Sequence, residues 1–345
     1  MATIREVAHA AGVSTATVSR VFSNSPLVSP ETAQRVLDAA TQLDYWPNSA
    51  AQSLSTRTTH TIGVMLPDLF GEFYSDLMRG LDREASLHQY QILLSSSHSS
   101  SHDVLAACRA MLGRIDGLIM LAPDDESIDT VERVRRRVPV VLLNPRQAVQ
   151  GCHSVGIANY DGARRVVDYL LELGHREIAY IGGPEGNVDA EERLRGFRES
   201  MQRAGLDPAR ALVLPGDFRE MAGVQASARI LARVPRPTAV FAANDSMAIG
   251  LLTALHRAGC RVPEDIAVVG FDNVAMAGYL NPALTTIHVD ACGLGREAVR
   301  MMLNVIETGD QTTPIQKVIP ATLKIRESCG AETESESARA DGTDP

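Results

Sequence analysis

The chain has 345 residues, 45% hydrophobic and 22% charged, with 33 Lys plus Arg against 42 Asp plus Glu and a formal net charge of -9. That length is long for one compact core and predicts two or three domains; no apolar run reaches the roughly 18–20 residues of a membrane span, and no basic stretch leads into a continuous apolar segment as in a secretory signal. Five scattered cysteines (Cys108, Cys152, Cys260, Cys292, Cys329) are odd in number, form no CxxC pair and read as buried thiols in a reducing cytoplasm.

Three short helices are predicted at the N-terminal end. Thr3-Ile4-Arg5-Glu6 has the form of a capping box, a hydroxyl at the N-cap and a carboxylate three residues on, and Ile4, Val7, Ala8 and Ala11 follow at helical spacing. Gly12 can take the positive φ of a tight turn. Ser14 can cap a second helix whose Val18, Val21 and Phe22 face inward. Ser29-Pro30-Glu31 starts a third, with Ala33, Val36, Leu37, Ala40 and Leu43 as its expected buried stripe. Two helices joined by a Gly turn and buttressed by a third form a helix-turn-helix. The overall acidity does not oppose nucleic acid here. Residues 1–60 balance Arg5, Arg20, Arg35 and Arg57 against Glu6, Glu31, Asp38 and Asp44, while the tail after Gly330 carries Glu332, Glu334, Glu336, Asp341 and Asp344 against Arg339 and is expected to be disordered. After Trp46, Asn48 could cap a helix of about two turns, or the stretch could be a plain linker.

From Thr61 onward strand-like and helical runs alternate, which predicts parallel sheets covered by helices in two units of similar size. The strand-like runs are Thr61–Leu66, Gln91–Ser95, Asp116–Leu121, Pro139–Leu143, Glu177–Ile181, Thr238–Ala242 and Ile266–Phe271. Helical runs include Glu72–Ala85, Ala163–Leu173, Ser246–Ala258 and Arg296–Ile306. Ligands of open parallel sheets bind beyond the carboxyl ends of the strands, and the residues found there are informative. Asn144 follows PVVLL, Asn244 and Asp245 follow AVFAA, and Asp272 and Asn273 follow IAVVGF; Asp68, Phe70, Phe73 and Tyr74 lie beyond TIGVMLP. Arg193 and Arg195 are expected to open a helix after Gly182-Gly183, and Phe218 follows the strand Leu212–Leu214. Amides, a carboxylate, a guanidinium fork and aromatic faces suit a neutral, hydroxyl-rich ring. Singly, each Asp or Asn could equally cap a helix or make a turn.

Enzymatic signals are weak. The run Gly182-Gly183-Pro184-Glu185-Gly186 lacks the Lys-Ser/Thr of a phosphate loop, and no nucleophile elbow appears. His98 and His102 are four apart but read as loop residues without a four-ligand set, so no metal and no cofactor is expected. His175 reads as structural.

ATIREVAHAAGVSTATVSRVF, VSPETAQRVLDAA, LDYWPNSAAQSL, LGHREIAYIGG, ERLRGF, AVFAANDSMAIGLL, VPEDIAVVGFDN and NPALTTI, in this order from Ala2 to about Arg326, resemble the LacI/GalR family of bacterial transcriptional repressors. Within the family the chain is most similar to the cytidine-repressor group, which shares the STATVSR helix and the GDF and GFDN surroundings. The fold implied is α/β: an N-terminal all-α helix-turn-helix domain plus a two-lobed, periplasmic-binding-protein-like core of doubly wound parallel sheets. The implied boundaries are 1–46 for the helix-turn-helix, 47–60 for a hinge helix and linker, 61–330 for the core and 331–345 for the tail. Within the core, lobe 1 takes about 61–158 and 291–318, and lobe 2 about 159–290 and 319–330.

The resemblance implies a cytoplasmic homodimer on a palindromic operator. Thr15, Ala16 and Arg20 would face base edges, with Ser14, Thr17 and Ser19 near phosphates. Asn48, Ala51 and Leu54 would belong to a hinge helix folded in the minor groove, Leu54 as the wedge. Phe73, Tyr74, Asn144, Arg193, Phe218, Asn244 and Asp272 would line an effector cleft for a nucleoside or sugar. One departure is Glu72, where relatives often have Pro before the aromatic pair. The alternatives are a binding protein of the periplasmic type without DNA control, and an enzyme, for which no nucleophile, acid–base pair or metal set can be pointed to.

Overall fold

The computed structural model describes residues 2–22, 25–46, 58–67, 71–96, 101–121, 128–309 and 313–330. They fall into two compact units: one of the residues up to Thr61 with Gly113–Asp116, the other of Ile62–Leu112 with the chain from Gly117 onward. No helix among the described residues is long and apolar enough to cross a membrane. The expected hinge residues Asn48, Ala51 and Leu54, the residues Asp68, Phe70 and His98, and the acidic tail all lie outside the described residues.

In the first unit α1 (Ile4–Ala11), α2 (Thr15–Phe22) and α3 (Pro30–Gln42) close around Val7, Ala8, Ala11, Val18, Val21, Val36, Ala39 and Ala40. The capping box forms: Thr3 N donates to Glu6 Oε2 at 2.7 Å and Glu6 N to Thr3 Oγ1 at 3.4 Å. Gly12, at φ 65°, then ends α1 with its N–H on the carbonyls of Ala8 and His9. The stripe of α3 differs from expectation. Leu37 and Leu43 are exposed, and Ala39 is buried instead. A core this small takes only the narrow i, i+3, i+4 seam of Val36, Ala39 and Ala40, and leucines one position off it face outward. Asp116, expected to begin a strand, instead accepts from Thr59 N (2.7 Å), Thr59 Oγ1 (2.8 Å) and His60 N (2.8 Å).

The second unit holds two parallel sheets. In the first, β1 (Thr61–Leu66), β2 (Gln91–Ser96), β3 (Gly117–Leu121), β4 (Val140–Leu143), β5 (His153–Ile157) and β11 (Gln316–Ile319) stand in the order β11-β5-β4-β3-β1-β2. Continuous aliphatic runs such as VVLL and GLIML make its centre because both sheet faces are buried. The second sheet orders β6 (Ile178–Ile181), β7 (Val213–Leu214), β8 (Ala239–Ala242) and β9 (Ala267–Val269) as β7-β6-β8-β9, and β10 (Thr286–Val289) pairs antiparallel with β12 (Ala321–Lys324) beside it. Both orders reverse next to the first strand of their sheet, between β1 and β3 and between β6 and β8, which is where ligands settle in doubly wound folds.

The chain passes between the sheets three times: from β5 into α7 (Asn159–Glu172), from β10 into α11 (Ala291–Thr308), and from β11 into β12. Helix α11 returns to cover β3, β4 and β5 and to pack on α4 (Glu72–Leu87). That helix pair touches backbone to backbone at glycines: a Cβ on Gly80 would lie 2.0 Å from the Cys292 carbonyl oxygen, and one on Gly295 would lie 2.5 Å from that of Leu77. The second lobe repeats the device between α9 (Glu220–Ala232) and α10 (Asp245–Arg257), where Gly223 abuts Met247 and Gly250 abuts Glu220. His102, expected in a loop, lies in α5 (Ser101–Met111). Arg193 and Arg195 do not open their helix; α8 (Val188–Arg203) starts a full turn earlier because Asn187 caps it through Ala190 N at 3.0 Å.

Candidate functional site

Helix α2 presents the first candidate surface. Ser14 Oγ accepts from Thr17 N at 3.1 Å and shares a hydrogen bond with Thr17 Oγ1 at 3.0 Å, so the hydroxyls of the first turn are spent on capping the helix. Val18 and Val21 anchor the opposite face in the core. Ser14, Thr15, Ala16 and Arg20 are left exposed, with Thr17 and Ser19 half-buried. The outer face therefore offers two methyl-bearing side chains beside the positive end of the helix dipole, and a guanidinium one turn on.

The second candidate lies where β4, β8 and β9 end, and its centre is Arg193. Its position on α8 buries it to 4% exposure. Nε donates to Asn159 Oδ1 at 2.8 Å and Nη1 to the Ala243 carbonyl at 2.6 Å, while the guanidinium carbon stands 3.8 Å above the Phe271 ring and 5.7 Å from that of Phe218. Nη2 is 3.4 Å from Asp272 Oδ1, an oxygen with no hydrogen-bond partner among the described residues. A buried carboxylate oxygen in that condition is short of a donor, and a ligand hydroxyl would supply one.

Two carboxylates, Asp272 and Asp189, feel the charge of Arg193, and a third, Asp245, feels that of Asp272. Burial, opposed by Arg193 and reinforced by Asp189, raises the Asp272 carboxyl to about 6. Asp189, held by Asn159 Nδ2 (2.7 Å) and Asn144 Nδ2 (3.4 Å), is also raised by burial, against the pull of Arg193 and its amide partners. Asp245 is fully buried and held well above the usual carboxylate range, first by burial and then by the charge on Asp272; its oxygens accept from Thr286 Oγ1 (2.6 Å) and Val274 N (2.9 Å). A Cβ on Gly270 would sit 2.1 Å from Asp245 Oδ1, so only glycine lets that carboxylate reach its partners.

The backbone here is strained. Asn144 (φ 46°), Phe218 (φ 65°), Asp272 (φ 113°) and Asn273 (φ 59°) all take positive φ without being glycine. Such residues cost roughly 1–3 kcal/mol each and gather at functional sites.

The contacts sort the expected residues. Asn144, Arg193, Phe218, Asn244 and Asp272 form one linked group, although Asn244 spends its oxygen on capping α10 through Met247 N (3.0 Å) and an N–H on the Phe218 carbonyl (2.9 Å). It positions the Phe218 loop. Phe73 and Tyr74 lie on the first turn of α4, half-buried, with their rings 5.5 Å apart and nearly perpendicular. Glu72 beside them accepts from Ala275 N at 2.8 Å, a bond from one lobe to the other. Arg146 makes a second such link, to Glu191 and to the Gly186 carbonyl (3.1 Å), at the rim of a cavity of about 300 Å3 that Asn144, Asn159 and Asp189 also line. Sequence reasoning missed Asn159, Asp189 and Phe271. Asp189 was within reach, because it lies four residues before Arg193 and so on the same helix face. His175 shares a hydrogen bond of 2.9 Å with Thr238, and burial lowers its pKa, as suits a structural imidazole.

Comparison with known proteins adds independent findings. Residues 3–48 match the model of bacterial regulatory proteins, lacI family, and residues 167–329 match that of a periplasmic binding protein-like domain. The HTH-type transcriptional repressor PurR of Edwardsiella ictaluri is 34% identical over 331 residues, covering 94% of this chain and 96% of that protein. The lac repressor dimer bound to operator and the anti-inducer ONPF superposes with a TM-score of 0.86 at 32% identity, covering 96% of this chain and 99% of that one. A transcriptional regulator CelR–cellobiose complex superposes with a TM-score of 0.72 at 34% identity, covering 95% and 100%.

Proposed function

The chain belongs to the lacI family of bacterial regulatory proteins, and from that premise we propose how it works. It is a DNA-binding transcriptional repressor whose affinity for an operator is set by a small molecule bound between the lobes of its core. It acts in the cytoplasm as a homodimer on an inverted repeat, and it is not an enzyme. A binding protein without DNA control is not favoured for a chain whose residues 3–48 match a regulator family.

The observation that carries the reading is the exposed face of Ser14, Thr15, Ala16 and Arg20 on a helix whose other face is locked into a small core. Arg20 can fork onto guanine, and the methyls of Thr15 and Ala16 can meet thymine methyls. Ser14, Thr17 and Ser19 stand near phosphates, and Asn48, Ala51 and Leu54 form the hinge in the minor groove, with Leu54 opening the central base step.

The effector is a neutral polyhydroxy compound, a nucleoside or a sugar. Supporting this are the buried Asp272 carboxylate, whose Oδ1 has, among the described residues, only the Arg193 guanidinium at 3.4 Å beside it, and the ring faces of Phe218 and Phe271, which together suit paired hydroxyls on a flat ring. A solved cellobiose complex of one relative is consistent with the sugar class. Effector binding alters the angle between the lobes and with it the spacing of the two hinges; a coupling of about 1–3 kcal/mol is enough for regulation.

The test is an anisotropy titration at fixed salt, using an inverted-repeat duplex selected from random sequences and a scrambled control. Wild type should prefer the selected duplex, and Arg20→Ala should lose about 1–3 kcal/mol of that preference. A wild-type chain that binds both duplexes alike overturns the reading. Leu54→Ala should weaken operator binding while dimerisation persists, and unchanged affinity would remove its role as wedge.

A further inference from the structure

Strands β1, β3 and β4 run parallel, pairing Ile62 with Gly117 and Leu118 with Val140, so their N-terminal ends share one edge of the sheet. The chain enters β1 at that edge, at Thr61, directly after the residues that follow the helix-turn-helix. The same edge receives the end of α6 (Ile128–Arg135), with Arg133 and Arg135 in its last turn, and the turn through Arg136 and Arg137 that leads into β4. Arg109, in the last turn of α5, and Arg114 lead in the same way into β3. Arg109, Arg114, Arg133, Arg136 and Arg137 are exposed, while Arg135 is held by Glu132 at 2.7 Å.

A basic residue in the last turn of a helix answers the helix dipole, and Arg133 and Arg135 satisfy that need. Arg136 and Arg137 lie beyond the last helical residue, where the dipole no longer calls for them. The local charge also runs against the rest of the chain: Arg133, Arg135, Arg136 and Arg137 face only Asp129 and Glu132 between residues 128 and 140, in a chain of net charge -9.

We propose that this arginine edge binds the phosphate backbone of duplex DNA flanking the operator. The inference rests on the regulator reading above. Residues 1–60 carry no net charge, so the reading helix releases few counterions by itself, and a second grip on phosphate is of most use to such a protein. The tether is short enough for it. Residues 47–60 separate the helix-turn-helix from β1, and fourteen residues span at most roughly 50 Å, about one and a half turns of B-DNA. Once the headpiece is bound, flanking phosphates stand at high effective concentration near the edge, and exposed guanidinium forks suit their geometry.

The test compares full-length wild type with R133Q/R136Q/R137Q on two duplexes carrying the same selected inverted repeat. One ends at the repeat; the other extends it on each side by about 20 base pairs of unrelated sequence, roughly two helical turns. Affinity is measured over a series of salt concentrations. The variant should match wild type on the short duplex and bind the long one more weakly at low salt, its log K against log [salt] slope reduced by about 0.9 for each phosphate it no longer neutralises. R210Q/R229Q/R257Q removes the same charge from the second lobe and should behave as wild type on both. If the triple variant melts early, R136Q/R137Q, which lies outside the helix, carries the comparison. Identical slopes for variant and wild type on the long duplex overturn the proposal, as does an equal loss in the second-lobe control or on the short duplex. A wild-type chain with no preference for the selected repeat overturns the regulator reading instead, and that outcome is seen before any variant is made.

Discussion

Asp272 holds a carboxyl that burial pushes up to about 6, whereas in an unfolded chain it would titrate at about 3.9. Below roughly pH 4 the group is protonated in both states and has no effect on stability; between roughly 4 and 6 the folded state keeps the proton longer, so stability falls as pH rises, and above that the penalty is complete. Asp272→Asn removes the charge while keeping the shape, so its melting temperature should gain on wild type as pH is raised from 4.5 to 7.5; parallel curves would show that the carboxylate is relieved in some other way. Asp272→Ala should also abolish the effector response, read as a ligand-dependent change in operator affinity, with DNA binding kept. The strand-end rule pointed to Asp272 and Asn144 because a parallel sheet delivers the residue after each strand to one place. It could not show that the Asn244 side chain also caps a helix and bonds the Phe218 carbonyl. Phe271 escaped notice because an aromatic at the end of an apolar strand looks like core until Arg193 is found lying on its face.

Helix α2 depends on Ser14 for its first turn, and Ser14→Ala should cost about 1 kcal/mol of headpiece stability, visible as an earlier melt of the helical signal and a proportional loss in operator binding. The glycine contacts of the core make a stronger claim. Gly80→Ala drives a methyl into the Cys292 backbone and Gly223→Ala does the same at Met247; neither neighbour is the loose end of a side chain, so each substitution should destabilise its lobe by about 1–3 kcal/mol or more. A denaturant midpoint equal to wild type would mean that the helices part freely. Caps were the most legible feature of the sequence, since Thr3 with Glu6, and Ser29 before Pro30, act within four residues. The stripe of α3 was less so, because choosing between Leu37 and Ala39 requires knowing how small the enclosed core is. Strands β5, β10, β11 and β12 passed unseen: they are four or five residues long and too mixed in polarity to stand out, and pairing with distant strands makes them.

Ligand binding is a property of the core as a unit. A nucleoside or sugar at about 100 times its dissociation constant should raise core stability by about 2.7 kcal/mol; a thermal-shift screen of both classes with no hit would turn the search to other chemistry. The link between lobes through Arg146 is half exposed, and such pairs are worth at most about 1 kcal/mol. Arg146→Gln should therefore change effector affinity no more than about five-fold. The three passages between sheets set the order in which this molecule can be made. Sheet β1–β5 leaves the ribosome early, yet its edge strand β11 and its covering helix α11 are encoded only after strands β6 to β10 of the second lobe. A nascent chain stalled near Val289 would carry a second lobe still lacking β12 and a first lobe with an oily flank bare, open to chaperones and to neighbouring copies. The first lobe cannot seal until β11 has emerged, so a frameshift between Val289 and Gln316 should yield insoluble product rather than an active fragment.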